Sequence, residues 1–154
     1  MKIDEKPCDF IEAKKLYNYL LGTPVANMVT QLFNDYNAQV YKAQIQTQHE
    51  LGATLCIWSN LGGVRKEPKY KIQEAYSALE KTKNVDQQSI YNWMCVNEYI
   101  RLIGQGSLEL IITAVNTNHG YMIIDGNKRA TAFYEYHRIQ GKESIDFPLY
   151  ILQK

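Results

Sequence analysis

Apolar residues recur at helical spacing through most of the first hundred residues. Asp9 followed by Glu12 is typical of a helix start, because the aspartate side chain can accept from the first free amides, and Gly22 suits the end of that helix. Thr23 and Pro24 then predict a second helix, with proline at its first position. The apolar positions that follow keep helical spacing, so we expect one long helix through Val25, Met28, Leu32, Tyr36, Val40 and Ala43.

Two more amphipathic helices are predicted before residue 105. Pro68 opens the third helix, and Gly104 ends the fourth, which follows a break at residues 84–86. Ahead of them, Ala53–Trp58 fits either a short strand or the end of a helix. No internal repeat and no linker rich in Ser, Pro or Gly divides the chain, so residues 1–105 are interpreted as the mainly helical region of one compact domain.

The pattern changes in the last third of the chain. Leu108–Val115 is rich in β-branched residues and too apolar to alternate, which is typical of a strand buried on both faces. Tyr121–Ile124 predicts a second strand, a helix ending at Gly141 follows, and Ile145–Leu152 predicts a third strand. Residues 106–154 therefore run strand, strand, helix, strand, and the predicted fold class is a mixed α/β (α+β) fold.

Pro148 restricts the place of the last strand. Because proline has no amide to donate, we expect this strand at an edge of the sheet, or Pro148 at the start of the strand. If the last two strands are parallel, the crossover between them should be right-handed.

The composition is that of a globular protein. The chain has 154 residues, of which 45% are hydrophobic and 21% charged, and a net charge of +1. So small a charge creates no large field for nucleic acid or anionic lipid as the main partner, and no apolar run approaches a membrane span, so no membrane partner is expected. The three cysteines lie far apart in the sequence, which favours a reducing compartment, and the predicted location is cytoplasmic.

Tyrosine is the dominant aromatic residue, with twelve copies against four Phe and two Trp. Tyrosine suits half-buried positions, where the ring packs and the hydroxyl stays in water. Most of these residues are interpreted as structural. A few, in the Tyr-rich helical half, are candidates for a groove that binds a protein or nucleic-acid partner.

The richest chemistry lies in Asp125, Gly126, Asn127, Lys128 and Arg129, where a strand passes through a sharp turn into a helix. The free amides and partial positive charge of a helix N-terminus stabilise an anion. Gly126 lets a phosphate approach the backbone, and Lys128 and Arg129 add full charges, so the four residues after Asp125 are the predicted phosphate-binding residues. The alternative is an ordinary turn, in which Asp125 caps the helix and the basic side chains are solvated.

Four residues are candidates for further roles at this turn. Asp125 is the candidate metal ligand, and Asp125 and Lys128 are the candidate catalytic residues. His119, in the turn before the second strand, and Glu109, on the neighbouring strand, are accessory candidates. For both of these, an exposed structural role is the simpler interpretation.

The stretch from Glu109 to Leu152 resembles the ParB/sulfiredoxin-like superfamily. The resemblance rests on Leu110–Ile112, Tyr121–Arg129 and Ile145–Ile151, which match a strand, a strand ending in a DG-x-x-R or G-x-x-R signature, and a final strand. It implies a nucleotide-phosphate pocket at the loop, with a nucleoside triphosphate (ATP or CTP) and Mg²⁺ as the expected ligands. If the protein is an enzyme, phosphoryl transfer or nucleotide hydrolysis is the reaction that the resemblance implies.

Two positions depart from the enzymes of that superfamily. Asn127 stands where sulfiredoxins carry a cysteine nucleophile, so sulfinic-acid reduction is not expected. Lys128 stands where free-serine kinases of this fold carry a histidine, which puts their acid/base pattern in doubt. The departures favour a second class of function, a non-catalytic regulatory or interaction module of plasmid or phage type.

The turn also resembles part of the pattern H-x-F-x-D-G-N-x-R of Fic/Doc proteins, which transfer AMP or phosphate to hydroxyl groups. The histidine of that pattern falls on Tyr121, and His119 lies two residues too early. This resemblance implies a helix over Leu108–Val115, where the apolar pattern predicts a strand.

Overall fold

The structure, a computed structural model, describes residues 1–57 and 70–153. Its helices are α1 (Phe10–Leu21), α2 (Ala26–Tyr36), α3 (Gln48–Ala53), α4 (Ile72–Thr82), α5 (Gln87–Gly104) and α6 (Asn127–Ile139). Its strands are β1 (Lys2–Ile3), β2 (Gln39–Thr47), β3 (Leu55–Cys56), β4 (Tyr70–Lys71), β5 (Thr113–Thr117), β6 (Gly120–Asp125) and β7 (Ser144–Gln153). Trp58 and Pro68 lie outside the described residues. Within them, Ala53 ends α3, Leu55–Cys56 forms β3, and the third predicted helix is observed as α4 from Ile72.

The seven strands of the described residues form one mixed sheet in the order β1-β2-β7-β5-β6-β3-β4. β7 pairs antiparallel with β2 and parallel with β5, and β3 pairs parallel with β6. The predicted mixed α/β fold is confirmed. The mainly helical first 105 residues also contribute four strands, so both parts of the chain build the same sheet.

The sheet separates two hydrophobic cores because successive side chains of a strand point to opposite faces. In β7, Phe147 and Ile151 belong to the core that also holds residues of α4, α5 and α6. Tyr150 and Leu152 belong to, or pack against, the core that holds residues of α1 and α2. The fold therefore has helices on both faces of the sheet.

The predicted first and fourth helices are confirmed. The Asp9 side chain accepts from the Glu12 amide at 2.8 Å and begins α1, which ends at Gly22. The Asp86 side chain accepts from the Ser89 amide at 2.7 Å and begins α5, which ends at Gly104. Both starts are local, since an N-cap aspartate satisfies amides within its own turn.

The predicted long helix after Pro24 is wrong. Val25 precedes α2 as its N-cap, and Asn37, in the left-handed conformation with φ 49°, ends it. Val40 and Ala43 are buried from strand β2, where Ala43 pairs with Leu149 of β7. The helical spacing of these apolar residues was overridden by pairing with a strand about a hundred residues further along the chain.

The strand predicted over Leu108–Val115 is displaced towards the C-terminus. Residues 107–112 have no regular structure, and β5 begins at Thr113. The helix that the Fic/Doc resemblance implies here is not observed. The second strand (β6), the following helix (α6) and the last strand (β7) are confirmed.

The predicted edge position of the last strand is wrong, because β7 lies between β2 and β5, and Pro148 is in its middle. The Tyr150 amide donates to Ile112 on the β5 side, and amides two residues apart point to the same side of a strand. β5 starts opposite Tyr150, so Pro148, two residues earlier, lies opposite the chain that precedes β5. The amide that proline lacks is therefore not needed for pairing with β5.

The last two strands, β6 and β7, are not parallel, so the right-handed crossover expected for parallel strands does not apply. β6 is antiparallel to β5, and β5 is parallel to β7, so β6 and β7 run in opposite directions.

Among the described residues, no helix is both long enough and apolar enough to cross a membrane.

Candidate functional site

The turn between β6 and α6 depends on a glycine. Gly126 has φ 86°, in the left-handed region that side chains disfavour. A Cβ at this position would lie 2.6 Å from Ile112 Cδ1 and 3.0 Å from the Ile111 carbonyl oxygen. From the sequence, a glycine at this position is expected for the approach of a phosphate. Backbone conformation and packing against residues 111–112 already require it.

The same glycine leaves the start of α6 without a capping side chain. The side chains of Asp9, Thr47 and Asp86 accept amide hydrogen bonds at the starts of α1, α3 and α5. Gly126 is the N-cap of α6 and has no side chain that can accept. The amides of residues 127–129 therefore keep the capacity to bind an anion, and the helix dipole favours negative charge there.

Arg129 is held by two side chains. Its Nη2 atom donates to Asp125 Oδ2 at 3.2 Å and to the Tyr19 hydroxyl at 3.0 Å. The Arg129 and Asp125 side chains are 17% and 15% exposed, so water screens their ion pair only in part. Tyr19 comes from α1, so this network joins α6 to the helical layer on the other face of the sheet.

Asp125 is a partly buried carboxylate with several donors around it. Burial raises the pKa of its carboxyl, and the Arg129 charge, a hydrogen bond from Tyr19 and the Gly126 amide oppose that rise. These contacts place the predicted catalytic and metal-binding carboxylate in a structural network. Its observed contacts serve to orient Arg129.

Asn127 and Lys128 also make defined contacts. Asn127 Oδ1 accepts from the Ile57 amide at 3.1 Å, which ties the start of α6 to the residue after β3. Lys128 Nζ lies 4.6 Å from the centre of the Tyr91 ring on α5, a cation–π contact. The Lys128 ammonium is thereby held on the α5 side of the turn.

The five residues from Asp125 to Arg129 line a cavity of about 530 Å³. The start of α6 and the end of β6 form one wall, and α5 forms another through Gln88, Asn92 and Tyr99. Pro24 and Val25, which precede α2, and Ile57 complete the lining. A cavity of this size is within the range of about 300–1,000 Å³ that small-molecule sites occupy.

The structure brings the five residues from Asp125 to Arg129 together, but not the two accessory candidates. His119 lies at the other end of β6, roughly 20 Å from Asp125 at the rise of a strand. Glu109 is exposed and precedes β5 instead of lying on a strand. It lines a different cavity of about 420 Å³, shared with Tyr19 and Tyr150.

The described residues contain no cluster of three His, Cys, Asp or Glu side chains that would hold a metal ion. Within residues 1–57 and 70–153, Asp125 is the one carboxylate on the wall of the cavity of about 530 Å³. A single carboxylate suffices for Mg²⁺ only where the phosphates of a bound nucleotide supply other ligands.

The parts of the site that come from other elements were not predicted from the sequence. Tyr19 and Ile57 are remote in sequence and carry no local signal of their contacts. One face of α5 carries Gln88, Asn92 and Tyr99. A polar and aromatic face on a mostly apolar helix could have indicated from the sequence that this part of α5 lines a site.

No protein-family model, curated protein or solved structure matches this chain. The geometry of the cavity and of its lining residues is therefore the basis for any statement about function.

Gly126→Ala should destabilise the protein more than Gly141→Ala. Both glycines have positive φ, at 86° and 66°, but a Cβ at Gly141 meets no atom within 4 Å. The left-handed conformation costs each variant about 1–2 kcal/mol, and the clash at Gly126 adds about 1–3 kcal/mol. Urea denaturation measures both changes in the free energy of unfolding. Equal losses would contradict the packing role of Gly126.

Arg129→Gln should raise the pKa of Asp125 further. The Arg129 charge is the largest of the causes that oppose the effect of burial, and the substitution removes it. Titration of the Asp125 carboxyl carbon by NMR measures the shift, and Tyr19→Phe should move the pKa in the same direction. Arg138→Gln is the control, because Arg138 pairs with Glu135 instead. An unchanged Asp125 pKa in Arg129→Gln would disprove the network.

Proposed function

We propose that this protein binds a nucleoside phosphate in the cavity at the start of α6, with the phosphates at residues 126–129. The observation that carries the proposal is a helix start without a capping side chain that forms the wall of a cavity of about 530 Å³. Amides at a helix N-terminus and nearby cations are a recurrent phosphate-binding arrangement. The resemblance to the ParB/sulfiredoxin-like superfamily supports the same ligand class.

Lys128 and Arg129 contribute unequally to the positive charge of the proposed site. The Arg129 charge is partly balanced by Asp125 at 3.2 Å. Lys128 has no carboxylate partner among the described residues, and its Nζ contacts the Tyr91 ring. A phosphate therefore gains most of its net charge interaction from Lys128 and from the helix start, while Arg129 supplies directed hydrogen bonds.

Binding has more support than catalysis. If the protein is an enzyme, phosphoryl transfer or nucleotide hydrolysis fits this wall best, since that chemistry depends on positioning and charge neutralisation. Lys128 would then stabilise negative charge on the phosphates. Asp125 accepts hydrogen bonds from Arg129, Tyr19 and the Gly126 amide, so it is assigned to positioning Arg129 and not to proton transfer.

The second candidate is a non-catalytic nucleotide-binding module that regulates a protein or nucleic-acid partner. The engagement of Asp125 in the Arg129 network is the observation that favours it. In both candidates the bound nucleotide would carry Mg²⁺ on its own phosphates, and Asp125 is the carboxylate that the described part of the cavity could offer to that ion.

A nucleoside triphosphate, added with Mg²⁺, should raise the melting temperature of the protein. At a ligand concentration one hundred times the dissociation constant, the stabilisation should be about 2.7 kcal/mol. Differential scanning fluorimetry with ATP, CTP, GTP and UTP, with and without Mg²⁺, measures it. Absence of a shift with every nucleotide would refute the proposed function.

Lys128→Gln and Arg129→Gln should each weaken that binding by about tenfold or more, because each removes a charge-assisted hydrogen bond to phosphate. Lys142→Gln is the matched control, since Lys142 is exposed and follows the opposite end of α6. Isothermal titration calorimetry measures the three dissociation constants. A loss of affinity in the control equal to the loss in the other two would mean that the phosphates bind elsewhere.

A further inference from the structure

The cavity has a second wall with a different chemistry, formed by α5. Gln88, Asn92 and Tyr99 line it. At roughly 100° per residue, these positions lie within about 40° of one another around the helix axis, so one narrow face of α5 carries all three. This wall has no formal charge, in contrast to the cationic wall at the start of α6.

A hydrogen-bonded pair of side-chain amides, one exposed and one buried, occupies this face. Gln88 Nε2 donates to Asn92 Oδ1 at 3.0 Å, and Asn92 is only 5% exposed although it lines the cavity. Among the described residues, this bond leaves Asn92 Nδ2 as a donor and Gln88 Oε1 as an acceptor. Adjacent donor and acceptor groups are what the edge of a nucleobase hydrogen-bonds to.

Tyr99 is half-buried and lies about two turns further along the same face. Apolar side chains of Val25, Ile57 and Ile124 also reach the cavity. A phosphate gains nothing from apolar or aromatic surface, whereas a planar base gains affinity when it packs on an aromatic ring.

We propose that this face of α5 recognises the base of the nucleotide. Tyr99 packs against the base, and the Gln88–Asn92 pair hydrogen-bonds to its edge. The inference rests on the proposed function, because with phosphates at the start of α6 the rest of the ligand lies along the α5 wall of the same cavity. It adds that the site selects a nucleoside phosphate over an inorganic polyphosphate.

The experiment compares nucleoside triphosphates with inorganic tripolyphosphate, each with Mg²⁺, by isothermal titration calorimetry. The wild-type protein should bind the preferred nucleotide at least about tenfold more tightly than tripolyphosphate. Tyr99→Leu should remove most of that preference and leave the affinity for tripolyphosphate unchanged. Tyr99→Phe should keep it, because phenylalanine retains the ring.

Tyr36→Leu on α2 is the matched control, since Tyr36 is 46% exposed and does not line the cavity. Circular dichroism melts of each variant establish that it is folded. Equal affinity of the wild type for nucleotides and tripolyphosphate would overturn the inference and leave the phosphate site standing. An equal loss for both ligands in Tyr99→Leu, or loss of the preference in Tyr99→Phe, would also overturn it. Failure of every phosphate ligand to bind would refute the proposed function itself.

Discussion

The contact between Gly126 and residues 111–112 determines where α6 begins. A Cβ at Gly126 would lie 2.6 Å from Ile112 Cδ1, so only glycine allows this separation. Ile112 is in turn held by β7, because its carbonyl accepts from the Tyr150 amide at 2.8 Å. β7 pairs with both β2 and β5. The candidate phosphate site is therefore built on the centre of the sheet, and the rigidity of paired strands fixes the direction of the amides at the helix start.

The cavity forms where the two helical layers come together at the end of β6. Its α6 and α5 walls belong to the layer on one face of the sheet, whereas Val25, which also lines it, packs against the core on the other face. Arg129 connects the two layers through its bond to the Tyr19 hydroxyl. The position of the Arg129 guanidinium therefore depends in part on α1, although α1 lies more than a hundred residues earlier in the chain.

Local signals in the sequence were sufficient for the elements that local interactions build. Asp9 and Asp86 begin helices with their own side chains, and the Asp-Gly step at the end of β6 gives both the turn and the start of α6. The failures concern distant contacts. Val40 follows helical spacing but is buried from a strand, because β2 pairs with β7, which follows a hundred residues later. Pro148 is tolerated inside the sheet because the neighbouring strand starts two residues further on.

The candidate site shows the same contrast between local signals, which were predictable, and distant contacts, which were not. The five residues from Asp125 to Arg129 were predicted as a unit, since they are consecutive and their chemistry follows from a strand-to-helix turn. The roles within the unit were not predictable. Asn127 bonds to Ile57, Asp125 and Arg129 bond to Tyr19, and Lys128 contacts the Tyr91 ring, so four of the five contact residues that are remote in sequence. His119, although close in sequence, is separated from the turn by the whole length of β6.

The network of Arg129, Asp125 and Tyr19 has two opposing effects on the binding of an anion. An arginine that is mobile before binding would lose side-chain entropy of about 1.5–2 kcal/mol when a ligand orders it, and Asp125 and Tyr19 have already imposed that order. The opposing effect is the negative charge of Asp125, which repels a phosphate at short range. Both contacts use one nitrogen, Nη2, whereas a guanidinium has five N–H donors in a planar fork. The network can therefore hold Arg129 by one end of the fork while the other end meets a phosphate. A carboxylate in this position orients a binding group, and that role requires no proton transfer and no metal ion.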